Sequence, residues 1–260
     1  RQLVKQHQKL EDEIHALRDE TARRLNVASI YSVGLAHMSA FMERFKQAYL
    51  SAEVRLDYMH PEQVNEAVEQ GEVDLGLVSF PEDTRTLAAI AWRTEPLVIV
   101  CHPDHLLATH SRIELSELAG QSFGALETNL RSRAEIDRAL MVAKVDVDVA
   151  HEFDNIEHIK RDIETGAGVS ILPAPTVERE VASGSLVRVP IAGTTLERPL
   201  GIIHRRDREL NSIGKQFVEL LQSDAHFQTD SNGQAIEISR RRKGTKLGDL
   251  APLREANQES

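Results

Sequence analysis

The sequence predicts an α/β protein, and three observations carry that reading. Short apolar runs such as "LNVASI" (25–30) and "VDLGLVS" (73–79) have the length and character of buried strands. Between such runs lie stretches with apolar residues at helical spacing, started by Pro or a polar cap and stopped by Gly. A hydrophobic content of 41% with 28% charged residues supplies an ordinary globular core. Strand–helix alternation at this density predicts parallel sheets packed between helices.

Taken in order, the run 25–30 is followed by a helix with Leu35, Met38, Phe41, Met42 and Phe45 on one face. Val54, Leu56 and Tyr58 alternate with polar neighbours, as on a half-buried strand. "HPEQVNEAVEQG" places Pro61 in a first helical turn and Gly71 at the stop. After the strand at 73–79, "LAAIAWR" and "EPLVIVC" read as strand, with a break expected near Glu95-Pro96, where a ladder donor is missing. "SFGAL" predicts a strand, "RSRAEIDRALMVA" a helix, "DVAHEF" a strand and "NIEHIKRDIETG" a helix. In "TGAGVSILP", Gly166 and Gly168 suit a helix-ending turn that needs positive φ before the strand "VSILP". "PTVEREVASG" is a short helix, "LVRVPI" and "PLGIIHR" are strands, and Leu210, Ile213, Phe217 and Leu220 mark a last helix.

The two ends differ from this body. Leu3, His7, Leu10, Ile14, Leu17 and Thr21 are spaced alternately by four and three, the seam of a coiled coil. Residues 1–23 are therefore expected to be a pairing helix, with Leu3, Leu10, Ile14 and Leu17 in the contact. His7 and Thr21 are poor seam residues, so this helix alone should pair weakly. Residues 223–260 lose the apolar pattern and end in a basic run near 240–246, which predicts a mostly disordered tail.

Composition narrows the function. The formal net charge of −10 is opposite to the basic footprint that phosphate-backbone binding needs. No run of about eighteen apolar residues and no signal-peptide pattern occurs, so no membrane attachment is expected. Cys101, the single cysteine, fits a reducing cytoplasm. "CHPDHLLATH" matches no standard zinc spacing and reads as a connector, so no metal or cofactor is expected. No nucleophile motif and no acid/base pair stands out, and nothing compels an enzyme.

What does resemble a site is a set of strand-to-helix turns, because ligands of α/β sheets bind beyond the carboxyl ends of the strands. Ser29, Tyr31 and Ser32 lie in the first turn and His60 in the second. Ser79 lies in the third, Thr128, Arg131, Ser132 and Arg133 in the fourth, and Asp154 and Asn155 in the fifth. Hydroxyls, amides and arginines at helix starts suit a small organic or inorganic anion. Plain N-capping by Ser32, Ser132 and Asn155 is the competing explanation.

The motifs "LNVASIYS", "QGEVDLGLVS", "EPLVIVCHPDHLLA", "ELAGQSF", "TGAGVSILP" and "RPLGIIHRRD", in that order, resemble the effector-binding domain of LysR-type transcriptional regulators. The resemblance runs from Leu25 to about Gln222. It implies a type 2 periplasmic-binding-protein-like fold, two α/β subdomains joined by two crossover strands, preceded by a long N-terminal helix. The first subdomain would be 24–94 plus 199–222 and the second 95–198. It implies an effector held at Tyr31 and Ser32, near His60, at 131–133 and at Asp154 and Asn155. It also implies a homodimer or homotetramer that meets promoter DNA through a winged helix-turn-helix head, which would lie before Arg1. Leu106 stands where the family often has a proline, and Tyr31 stands beside Ser32 where it often has a threonine or serine pair. The alternatives are a free-standing solute-binding protein of this fold, or an enzyme built on it.

Overall fold

A computed structural model describes residues 23–224 and two short strands beyond them. The expected pairing helix, with Leu3, Leu10, Ile14 and Leu17, lies outside the described residues. Of the expected tail, Phe227–Thr229 and Ala235–Glu237 pair as a small antiparallel ladder, Phe227 opposite Glu237.

Strand β1 (Arg24–Ile30) pairs in parallel with β2 (Glu53–Met59) and with β3 (Leu75–Ser79). Helix α1 follows β1 in three consecutive pieces: Tyr31–Val33, a π turn Gly34–Met38, and Ser39–Ala48. Helix α2 (Pro61–Gln70) starts at Pro61 and stops at Gly71, as the sequence suggested. The π turn was not foreseen. It begins at Gly34, where a β-carbon would stand 2.2 Å from Tyr58 Cε1, so glycine is what lets the Tyr58 ring lie on the helix backbone.

The long strand β4 (Leu87–Cys101) and β9 (Glu197–Arg205) run antiparallel to each other and carry the chain between two lobes. β9 also pairs antiparallel with β3, so the first lobe is a mixed sheet and not a purely parallel one. Nor does β4 break at Glu95-Pro96; Pro96 stays paired with Glu197. Leu97 donates to Leu196 O at 2.8 Å, so by alternation the nitrogen of Pro96 faces away from β9, where no ladder donor is needed. The irregularity falls instead at a bulge between Ala91 and Arg93.

Past Pro96, β4 leaves β9 and pairs with β7 (Val169–Pro173) and β8 (Val187–Pro190). β5 (Ser122–Leu126) completes this lobe, parallel to β7 and to the outer strand β6 (Asp148–Phe153). Helices α3 (Arg131–Val142) and α4 (Ile156–Glu164) follow β5 and β6, and α5 (Glu178–Ser183) follows β7. The turn before β7 uses the two glycines as expected, with φ 83° at Gly166 and 143° at Gly168.

Burial explains the apolar runs. Leu97, Ile99 and Cys101 face a cluster with Ile136 and Leu140 of α3, while Val98 and Val100 face Ile156, Ile159 and Ile163 of α4. A strand covered on both faces has no polar side to show, hence "LVIVC". The first lobe closes around Phe41, Phe45 and Phe217, the last from α6 (Ser212–Asp224), with ring centroids 4.8 and 5.2 Å from Phe217.

Candidate functional site

A cleft of about 520 Å³ lies between the two lobes. Its wall is made by the carboxyl ends of β1, β2 and β3 on one side and of β5 and β6 on the other, with the first residues of α1, α2, α3 and α4. Of the expected residues, Tyr31, Ser32, His60, Ser79, Arg131, Ser132, Asp154 and Asn155 line it. Three do not. Ser29 is fully buried and its hydroxyl donates to the neighbouring Ile30 carbonyl. Thr128 lies outside the lining residues.

Arg133 points back into its own lobe, donating to Leu126 O at 2.5 Å, Glu152 at 2.6 Å and Asp137 at 2.9 Å. The reason is helical phase: Arg131 and Arg133 are two residues apart, about 200° around the helix, so they cannot share a face. Arg133 is a structural tie between α3 and the strands beneath it.

Capping explains only part of this set. Asn155 does cap α4, accepting from His158 N at 3.1 Å. Ser32 and Ser132 cap nothing. The residues at the cap positions of α1 and α3 are Ile30 and Leu130, which offer no side-chain acceptor. Two helix starts therefore open on the cleft with no side chain satisfying their first N–H groups, which is the local chemistry of an anion site.

Ser32 is instead the visible end of a buried network. Arg198 Nη1 donates to Ser32 Oγ at 2.8 Å, and its Nε and Nη2 donate to Glu95 Oε2 at 3.1 and 2.5 Å. The other oxygen of Glu95 pairs with His37 Nε2. Arg93 Nη1 donates to His37 Nδ1 at 3.1 Å. A guanidinium only donates, so His37 accepts at Nδ1 and donates from Nε2. Burial pushes the Glu95 carboxyl up, but the His37 hydrogen bond and the Arg198 charge outweigh it and hold the group below its ordinary range. Through Arg198, which also lines the cleft, this network puts one guanidinium at the base of the cavity beside Ser32.

Phe80 and Asn129, from the third and fourth strand-to-helix turns, line the cleft as well, and Pro81, Glu82 and Arg198 line it without having been among the expected site residues. A signal for Arg198 was present: Glu95-Pro96 and Arg198-Pro199 set opposite charges before a proline at each crossover. The lone thiol takes no part. Cys101 is buried in the core and desolvation raises its pKa to about 11, so it is not a reactive thiolate. Among the described residues no group of three or more His, Cys, Asp or Glu could hold a metal, and no helix is long and apolar enough to cross a membrane.

Two α/β lobes, two antiparallel crossover strands and a ligand-sized cleft between them define a type 2 periplasmic-binding-protein-like regulatory domain. Residues 18–225 match the LysR substrate binding domain, and the chain belongs to the LysR family of transcriptional regulators, of which it is the effector-binding part. It is 25% identical over 216 residues to the RuBisCO operon transcriptional regulator of Allochromatium vinosum, covering 83% of this chain and 71% of that one. It is 26% identical over 207 residues to an HTH-type transcriptional regulator, YeiE, of Escherichia coli, covering 80% and 70%. Among solved structures, the CcmR regulatory domain of Synechocystis in complex with 2-PG matches with TM-score 0.70 and 27% identity, over 78% of this chain and 97% of that one. The effector-binding domain of QuiR in complex with shikimate shares the fold, with TM-score 0.70 at 15% identity over 78% and 96%.

Proposed function

We propose that the cleft binds a small anionic effector through the starts of α1 and α3, with Ser32, Ser132 and Arg131 as its polar contacts and His60, Asp154 and Asn155 at the rim. The observation that carries this is the pair of side-chain-uncapped helix starts, at Tyr31 and Arg131, opening on one cavity that Arg198 also lines. A related regulatory domain was solved with 2-PG and a more distant one with shikimate, which supports a small polar ligand. The two effector-holding subdomains are 24–94 with 199–222, and 95–198.

In this reading the ligand sets the relative orientation of the subdomains and so biases promoter binding by a homodimer or homotetramer acting in the cytoplasm. DNA is contacted by a part of the protein other than this acidic domain. The shift works only if the ligand prefers one arrangement of the lobes. Regulation is favoured over catalysis because, among the described residues lining the cleft, the hydroxyl of Ser32 is engaged by a guanidinium and not by a base.

A thermal-shift screen of small carboxylates, inorganic phosphate, 2-PG and shikimate tests the reading, followed by calorimetry on each hit. A hit whose affinity survives Arg131→Ala and Ser32→Ala unchanged would place the ligand elsewhere. Turnover of any candidate would favour the enzyme alternative.

A further inference from the structure

Across the mouth of the cleft, Arg131 is paired with Glu82. The partners come from opposite lobes: Arg131 is the first residue of α3, and Glu82 lies in the segment between β3 and β4. Both line the cleft, and both side chains remain about half exposed, at 55% and 56%. Glu82 is held in place by its neighbours. Phe80 N donates to Pro199 O on β9 at 2.8 Å, and Asp83 Oδ1 accepts from Ala89 N at 3.1 Å and from Arg206 Nη2 at 2.6 Å. Phe80 itself adopts φ 51°, a left-handed conformation that is costly for a bulky residue. The carboxylate thus meets the guanidinium of the first residue of α3, next to a cap position, Leu130, whose side chain offers no acceptor. It brings to α3 the charge that an anionic ligand would bring.

We propose that Glu82 is a built-in competitor for the effector, a specificity residue that occupies Arg131 until a stronger anion displaces it; this rests on the anion-cleft reading above. In the unliganded chain the Glu82–Arg131 pair clasps the two lobes. A ligand with a localised negative charge takes over the guanidinium, and a neutral ligand of the same size has nothing to exchange for the broken pair. Because the pair is exposed, the competition is shallow. Exposed ion pairs are weak enough that Glu82 lowers ligand affinity by about fivefold at most through the lost pair. Removing its charge from the mouth adds to the gain in proportion to salt screening.

Calorimetry on the full chain tests this with inorganic phosphate, 2-PG and shikimate, against wild type, Glu82→Gln, Arg131→Gln and the double variant. Glu82→Gln should bind at least one of these anions about three- to tenfold more tightly. Arg131→Gln should bind it more weakly, and once Arg131 is gone the gain from Glu82→Gln should fall to the salt-screened part that comes from removing its charge. Equal affinity in wild type and Glu82→Gln overturns the proposal, as does the same gain in the absence of Arg131. If none of the three anions binds any of the four chains, the anion-cleft reading falls and the competitor falls with it.

Discussion

Glu95 and Arg198 are register partners on the two crossover strands, 2.5 Å apart between Oε2 and Nη2, and each side chain is only 2% exposed. An ion pair at the one place where both connections between the lobes run side by side couples the cleft to the hinge, because Arg198 also holds Ser32.

Breaking that pair from one side should be costly. Glu95→Gln strands a buried guanidinium, and we expect a loss of about 3–5 kcal/mol in urea unfolding. Replacing both partners together, Glu95→Leu with Arg198→Met, should cost much less than the sum of the single changes. Additive losses would show that the two side chains act independently.

The pH dependence has a definite sign. Glu95 is held below its ordinary value of 4.5, so its contribution is fully present above that value and is lost as pH falls through the lower folded one. The difference in unfolding free energy between wild type and Glu95→Gln should be flat from neutral pH down to about 4.5 and shrink below it. A difference that begins to shrink between pH 6 and 7 would point to another group, at about the ordinary range of histidine.

The two arginines at the start of α3 should separate cleanly. Arg133→Ala removes charged hydrogen bonds from a site 9% exposed and should destabilise the fold by about 1.5–3 kcal/mol. Its effect on anion affinity should be small. Arg131→Ala should do the opposite, weakening anion binding by about tenfold while the melting temperature of the unliganded chain barely moves. Calorimetry and thermal unfolding on the same two variants decide this.

Ser32→Ala should lower anion affinity several-fold and cost about 1 kcal/mol of stability, since Arg198 loses one acceptor but keeps Glu95. A variant that unfolds outright would assign Ser32 to the core and not to the cleft.

Cys101 should resist alkylation by iodoacetamide at neutral pH in the native chain and react once the chain is unfolded, because its thiol is both buried and shifted to about 11. Fast labelling of the folded protein would contradict this.

The sequence by itself determined the element order and the turn positions. Those depend on local signals: apolar runs, helical spacing at Phe41 and Phe45, Pro61 and Gly71 at the ends of a helix. It also determined that Tyr31, His60, Arg131 and Asp154 belong to turns at strand ends. Only the tertiary structure decided what those residues face. Arg131 and Arg133 look equivalent in "RSR", yet helical phase sends one to the cleft and the other into its lobe. Glu95 and Arg198 are separated by 103 residues, and both lie far along the chain from Ser32 and His37. The matched Glu95-Pro96 and Arg198-Pro199 dipeptides hinted at the pair, but neither told that it is buried or that Ser32 and His37 join it. Likewise the break expected at Pro96 rested on a missing donor, and whether a donor is missed depends on which side of the strand the neighbour lies. Contacts between distant segments are set by packing, and so the buried network at the crossovers and the Glu82 clasp were legible only in three dimensions.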